Sequence, residues 1–510
     1  MGSACTAGYK FEVTTTSTPA MKILDSTLAQ HAAALMRSGA YLVAILLVCW
    51  NYWINRYFGM PDIDQISYHL QFGAEGLGAS DPAVVRRFVR WCIVAPLLLL
   101  VCVLLAERWV LARGKWLSAR LRAALPAAAL VAAIALWLSQ LSIMEFVAAN
   151  AGPDYFGQHY VPPAQVAVQG INPKNLILIY VESLEAGYSD RAVFGDNLIA
   201  PLTDLDARSF AASHFDQFEQ VPGTGWTIAA MVATQCGVPL KRITVFDETT
   251  QGDVVQAFLP NAVCLSDILA RHGYRNVFMG GASPTFAGKG KFLRAHHYHE
   301  VLGREDWLRN GVPENAMNGW GLYDEDLFGR ARARLSELHA AGQPFNLTLL
   351  TVDSHEPFGH LSRSCARRGH AGFEGVIRCS ASDIAAFVEH VAARGYLPNT
   401  NIVILGDHLA RRNPLTAELS QLPERTIFNR FISTNTPTPN RAQLLHFDLL
   451  PTILEFTGYA VTGGRMGLGY SGFNQHALRP PADRLADMDR DLMNRSDEYL
   501  ALWADPAAAP

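Results

Sequence analysis

Three short apolar runs in this chain end in residues that can do chemistry. Asn175–Val181 (NLILIYV) is followed by Glu182-Ser183, Asn346–Val352 (NLTLLTV) by Asp353-Ser354-His355, and Asn401–Leu405 (NIVIL) by Gly406-Asp407-His408. Each alone is an ordinary strand-ending turn, because Asp, Ser and Gly favour turns. Together, a Glu, an Asp with its His, and a second Asp-His pair have the composition of a divalent-metal site. A metal held by carboxylates needs a group to activate. Val221–Leu240 (VPGTGWTIAAMVATQCGVPL) begins with a Gly-Thr-Gly turn and continues as a small-residue helix. Thr224 is therefore expected at a helix start, where backbone N–H groups and the positive dipole end suit a phosphoryl oxyanion. Its hydroxyl, activated by the metal, is the expected nucleophile; without the metal it reads as an N-cap threonine.

The elements that must position these residues are those of an α/β domain. The three runs read as buried, mainly parallel strands, and such sheets gather ligands at the carboxyl ends of their strands. Tyr323–Ala340 and Ser382–Arg394 read as intervening helices, and Phe447–Tyr459 as an amphipathic helix. Gly463–Gly472 reads as a glycine-rich loop near the site, and residues 481–510 as a surface helix with a frayed tail.

Composition adds a second compartment. Of 510 residues 50% are hydrophobic and only 17% charged, against about 25% charged in soluble domains, so part of the chain lies outside water. The apolar excess falls before residue 150, in stretches at about 39–58, 91–112 and 123–144 that read as three transmembrane helices. Lys10, Lys22, Arg37, Arg108, Arg113, Lys115, Arg120 and Arg122 lie on the side of the N-terminal tail, against Arg56, Arg86, Arg87 and Arg90 on the other. That bias puts the N-terminus in the cytoplasm. The expected organisation is a cytoplasmic tail (1–38), a membrane domain (39–150), an outer catalytic domain (151–480) and a C-terminal helix and tail (481–510), with Met1 or Met21 as the start. A net charge of −4 gives no attraction to nucleic acid, which is excluded as a partner. Of the cysteines, Cys236, Cys264, Cys365 and Cys379 fall in the outer, oxidising part. The expected pairs are Cys236 with Cys264, and Cys365 with Cys379 across a polar loop.

The sequence resembles the lipoteichoic acid synthase branch of the alkaline phosphatase superfamily, and within it the phosphoglycerol transferases that decorate periplasmic glucans. The match rests on IYVESLE (179–185), PGTGWTIAAMVATQCGVPL (222–240), FAGK (286–289), GWGLYDEDLF (319–328), LTVDSHEPFG (350–359) and GDHLA (406–410). The resemblance implies a sulfatase-like domain in which Glu182, Thr224, Asp407 and His408 hold one divalent cation. Manganese is the usual ion, with magnesium or zinc acceptable to the same ligands. Thr224 doubles as nucleophile and His355 contacts the substrate. Lys289 stands where related synthases place a phosphate-gripping arginine, and Trp320 and Trp226 are candidate walls for glycerol or sugar. The implied reaction moves glycerol phosphate from phosphatidylglycerol to a periplasmic glucan through a phospho-threonine, releasing diacylglycerol. The implied location is the bacterial inner membrane, with the catalytic domain in the periplasm. Alternatives are a phosphoethanolamine transferase acting on glucan or lipid A, a lipoteichoic-acid-synthase-like polymerase, and a metal-free scaffold that binds glucan or lipid. A sulfatase activity is disfavoured because the C-x-P-x-R nucleophile motif is absent: Cys236-Gly237-Val238-Pro239 has its proline one residue late.

Overall fold

A computed structural model describes residues 19–59, 65, 66, 68, 81–113, 119–140, 152–207, 210–241, 258–477 and 482–504. Residues 1–18, the far end of the third apolar stretch (141–144) and the last six residues lie outside the described residues. The chain divides into two compact units, residues 1–53 with 88–139, and residues 54–87 with 140–510.

The first unit is helical. It holds most of α1 (Pro19–Phe58), then a π-helical turn (Val89–Val94) leading into α3 (Ala95–Arg113), and α4 (Ala119–Gln140); the short α2 (Pro82–Phe88) runs into the π turn. Pro96 has no N–H to offer the carbonyl of Cys92 four residues back, and the indole N–H of Trp50 donates to that carbonyl at 3.2 Å. The Trp137 indole donates to the Leu47 carbonyl at 2.6 Å. Leu98, Val101, Leu105 and Val131 are more than half exposed, which suits helices whose surroundings are hydrocarbon. Gln30–Tyr57 and Pro82–Val110 are long and apolar enough to cross a membrane. The apolar part of α4, Ala124–Gln140, is shorter than either.

The second unit is built on a seven-stranded sheet. Its strands are β1 (Asn175–Val181), β2 (Ala211–Ser213), β3 (Arg275–Gly280), β4 (Glu300–Leu302), β5 (Phe345–Leu350), β6 (Thr400–Gly406) and β7 (Asn429–Ser433). Their spatial order is β2-β7-β6-β1-β5-β3-β4. The five from β6 to β4 are parallel, and β7 runs antiparallel to both β6 and β2. Alternation along β1 feeds two cores. Leu176, Leu178 and Tyr180 face one, with Ile228, Met231, Ile453 and Leu454. Ile177, Ile179 and Val181 face the other, with Leu327, Phe328, Ile384 and Val388. The fold is therefore a central, mainly parallel sheet flanked by helices.

Three elements differ from the sequence expectation. The helix expected from Ser382 begins at Gly372 (α6, Gly372–Ala393), because Phe373, Val376 and Ile377 bury at helical spacing in the second core. The Cys365–Cys379 disulfide therefore joins the short helix Arg363–Arg367 to the body of α6 rather than bridging a polar loop. The Gly463–Gly472 segment is not a plain loop: Arg465–Met466 pairs antiparallel with Gly469–Tyr470. The described residues near the C-terminus are docked, and the tail expected to fray (505–510) lies outside them. Leu492, Tyr499 and Trp503 are buried, and the backbone N–H of Lys241 donates to the Tyr499 hydroxyl at 2.9 Å.

A second disulfide, Cys236–Cys264, ties α5 (Thr227–Cys236) to the helix Leu265–Arg271. Cys365–Cys379 closes a loop with a sequence separation of 14. Replacing that pair by serine should cost about 3 kcal/mol, the loop-closure value for roughly 15 residues. A denaturant midpoint shift worth under about 1 kcal/mol would mean that helix packing alone holds the segment.

Candidate active site

The register of the sheet levels the carboxyl ends of its middle strands. Val181 pairs with Gly406 across β1–β6, and Tyr180 with Leu350 across β1–β5. Glu182, the Thr351–His355 segment and Asp407-His408 consequently leave the sheet at one rim. Gly406 is needed there, since a Cβ at that position would sit 2.0 Å from the Leu184 carbonyl oxygen.

Each ligand candidate is held by its neighbours. The Glu182 N–H donates to the Thr351 hydroxyl at 2.9 Å, and its carboxylate accepts from the Ser183 hydroxyl at 2.8 Å. Asp407 Oδ1 accepts from the backbone N–H of Ser183 at 2.7 Å and of His408 at 2.9 Å. Ser183 reaches Asp407 by adopting a left-handed φ of 53°, a local strain of the kind that concentrates at functional sites. His408 Nδ1 lies 2.9 Å from the Leu409 carbonyl. That bond places the proton on Nδ1 and leaves Nε2 as the electron-pair donor. Nε2 lies 3.5 Å from both Glu182 Oε1 and Asp407 Oδ2.

This arrangement fits a divalent cation. Ligand atoms of Glu182, Asp407 and His408 lie within 4.8 Å of one another and all three residues are buried. Asp407 Oδ2 has no hydrogen-bond partner, and an imidazole oriented through its other nitrogen is the usual form of a metal-bound histidine. Burial, and next the Asp407 charge, raise the Glu182 carboxyl pKa. Burial pushes Asp407 up to about 6 despite its hydrogen bonds. A bound cation would relieve both effects.

The threonine that faces these acids is Thr227, and this corrects the expected position of Thr224. Thr227 Oγ1 is 3.4 Å from Glu182 Oε2, and Thr227 is near enough to Asp407 to lower that carboxyl's pKa. Helix α5 starts at Thr227, with Trp226 as its N-cap. The Thr224 hydroxyl instead donates to the Val221 carbonyl at 2.7 Å. Thr224 is fully buried whereas Thr227 is partly open. The helix starts at Thr227, about one turn after the position the sequence suggests.

His355 joins the rim from the β5 side. Its Nδ1 lies 2.9 Å from the Glu356 carbonyl, leaving Nε2 to a substrate. Burial lowers its pKa, but the Glu356 and Glu182 charges outweigh that and the net shift is upward. Trp320 packs against this imidazole with centroids 4.3 Å apart, and against Phe286 at 5.1 Å. Trp226 is buried, with its ring 6.1 Å from that of Tyr68. Lys289 is buried at the start of the helix Lys289–Ala295. Burial lowers its pKa to about 8, with Glu182 and Asp407 pulling it back up.

Sequence reasoning missed Glu356 and Arg411 as well as Thr227. Ligand atoms of Glu182, His355 and Glu356 also approach one another within 4.8 Å. Arg411 sits 3.8 Å from Glu356 and donates to the Gly225 carbonyl at 2.7 Å, fastening the turn before Thr227 to the His355 loop. Both residues lie inside the quoted motif regions or beside them, but nothing in their spacing shows that they meet.

A mainly parallel sheet thus carries acids, imidazoles and a helix-start hydroxyl at one rim. The profile of the sulfatase family matches residues 174–459, more than half of the chain, and the protein belongs to that family. It is 37% identical over 287 residues to phosphoglycerol transferase I of Escherichia fergusonii, a match covering 55% of this chain and 36% of that protein. Phosphoglycerol transferase I of Escherichia coli is 36% identical over the same length and coverage. The match thus spans about a third of these relatives. Among solved structures, the lipoteichoic acid synthase LtaP of Listeria monocytogenes aligns with a TM-score of 0.46 at 17% identity, covering 64% of this chain and 78% of LtaP. The Streptococcus pyogenes phosphoglycerol transferase GacH in complex with sn-glycerol-1-phosphate aligns with a TM-score of 0.42 at 13% identity, covering 66% and 87%.

Proposed function

We propose that the protein is a membrane-anchored phosphotransferase that moves glycerol phosphate from phosphatidylglycerol to a periplasmic glucan. The observation that carries this reading is the Thr227 hydroxyl placed against Glu182 and Asp407 at the start of α5. Identity of 37% over 287 residues to a phosphoglycerol transferase I supports the choice of headgroup. The proposed topology has three crossings, the N-terminus in the cytoplasm and residues 151–480 in the periplasm.

Glu182, Asp407, His408 and Thr227 would hold one divalent cation, manganese by family habit. When bound, the cation lowers the hydroxyl pKa and stabilises charge on a phosphoryl oxygen. Thr227 Oγ1, deprotonated in the resting site, attacks the phosphorus as the alkoxide, forming a Thr–O–P bond as the bond to the diacylglycerol oxygen breaks; it is released as the alkoxide in the second half. His355, partly protonated because two carboxylates face it, gives that oxygen its proton. In the second half a glucan hydroxyl attacks the phosphorus, returns its proton to His355, and frees Thr227. Lys289 balances the phosphate charge from within the wall. Trp320 holds the His355 ring in plane and shields it from water.

The test is direct. Membranes containing the protein, given phosphatidylglycerol labelled in its headgroup and a panel of cyclic and linear glucans, should release diacylglycerol and label a glucan. Peptide mass spectrometry should find a glycerophosphate adduct on the peptide holding Thr227. Label transferred only from phosphatidylethanolamine would replace the donor assignment, and label appearing in a growing glycerol-phosphate polymer would replace the acceptor.

A further inference from the structure

The loop that carries His355 also carries Phe358 toward solvent. Hydrogen bonds from Gly359 N–H to the His355 carbonyl at 3.0 Å and from His360 N–H to the Asp353 carbonyl at 2.7 Å close this loop. His355 and Phe358 are therefore held in fixed relation, three positions apart. Phe358 is 45% exposed.

Two guanidinium groups cover that ring. The Arg87 group lies 4.7 Å from the Phe358 centroid and 5.3 Å from that of Tyr57. The Arg56 group lies 6.0 Å from Phe358 and 5.8 Å from Tyr57. Among the described residues no carboxylate pairs with either arginine. Two like charges sharing the same two rings repel one another, and aromatic faces offset only part of that. Such a pair is a ready seat for an anion, and guanidinium forks match phosphate oxygens.

The position of the pair selects the anion. Arg56 is in the last turn of the helix containing the apolar stretch Gln30–Tyr57, and Arg87 lies near the start of the stretch Pro82–Val110. Both therefore belong where an apolar span meets water, at the depth of lipid headgroups. The segment before Arg87 is seated on the mouth of the site. Asp81 lies 3.8 Å from His360, and a Cβ on Gly319, next to Trp320, would come within 2.3 Å of the Asp81 carboxyl carbon.

We infer that Arg56 and Arg87, flanking Phe358, form a receiving site for the phosphate of an anionic phospholipid at the bilayer surface, from which the donor passes to His355 and Thr227. The site rests on the transferase reading for its purpose, but its existence can be tested apart from turnover. A zwitterionic lipid carries an ammonium that the two arginines repel, so the clamp also selects among donors.

The experiment uses the full chain in detergent or lipid nanodiscs, as wild type, as R56Q/R87Q, and as R56K/R87K to keep charge while losing the fork. Native mass spectrometry counts the phosphatidylglycerol and phosphatidylethanolamine molecules retained, and initial rates over a range of phosphatidylglycerol give kcat and KM. The double glutamine variant should retain phosphatidylglycerol about 30-fold more weakly, each arginine at a headgroup surface contributing roughly equally. Its KM should rise by a similar factor with kcat kept, and the lysine variant should fall between. Retention of phosphatidylethanolamine should not fall. Equal retention of phosphatidylglycerol by wild type and the glutamine variant would overturn the clamp, as would a parallel loss of both lipids. Arginine-dependent retention in a protein that releases no diacylglycerol would leave the clamp standing and sink the transferase reading instead.

Discussion

Thr227→Ala should abolish headgroup transfer, lowering kcat by about a thousandfold or more, because a covalent route loses its nucleophile altogether. The fold should tolerate the change. Thr227 is partly open, and its hydroxyl donates to the Glu182 carboxylate rather than to a core group. Thr224→Ala should behave in the opposite way. The Thr224 hydroxyl donates to the Val221 carbonyl and accepts from the Val221 N–H at 3.3 Å in a fully buried turn, so its removal takes the partner from that buried donor and should cost about 1–3 kcal/mol of stability. Activity per folded molecule should stay within a few fold of wild type. Diacylglycerol release and a denaturation curve on both variants separate the two roles. If Thr224→Ala is the dead, well-folded variant and Thr227→Ala turns over, the nucleophile assignment made from the geometry is wrong.

The reason for that contrast also explains what could be read from the residues alone. Buried parallel strands are continuous apolar runs with sharp ends, so β1, β5 and β6 were visible within a residue or two, and whatever followed them was bound for the rim. Glu182, His355, Asp407 and His408 were legible for that reason. Thr227 was not, because the start of α5 lacks a local mark: its N-cap is Trp226, whose side chain caps nothing. The edge strands β2 and β4 are three residues long, too short for any period to register. The docking of Tyr499 and Trp503 and the meeting of Arg87 with Phe358 depend on tertiary approach alone. Patterning reports which face an element buries; it does not report which distant residue fills the space opposite.

Removing the cation should have an effect as large as removing the nucleophile, and it has a signature that a purely structural ion would not give. Chelation should reduce turnover by about a thousandfold or more, since it takes away the Lewis acid, and manganese, magnesium or zinc should restore it to differing extents. Asp407→Asn should be inactive at any metal concentration. The apo protein carries two buried carboxylates with raised pKa values, Asp407 at about 6. A carboxyl raised in the folded state binds more protons there than in the unfolded chain between its unfolded value and its folded one. Its stabilisation is complete at low pH and is lost as pH rises from about 4 through about 6. The metal-free protein should therefore lose thermal stability across that window relative to Asp407→Asn. Saturating metal should cancel the loss, adding about 2.7 kcal/mol at a hundredfold excess over Kd. Metal affinity should weaken as pH falls below about 6, because protons compete for the same oxygens. Affinity independent of pH between 4 and 7 would mean that the cation binds somewhere other than Glu182 and Asp407. The rim would then have to do its chemistry with Lys289 and the dipole of α5 alone.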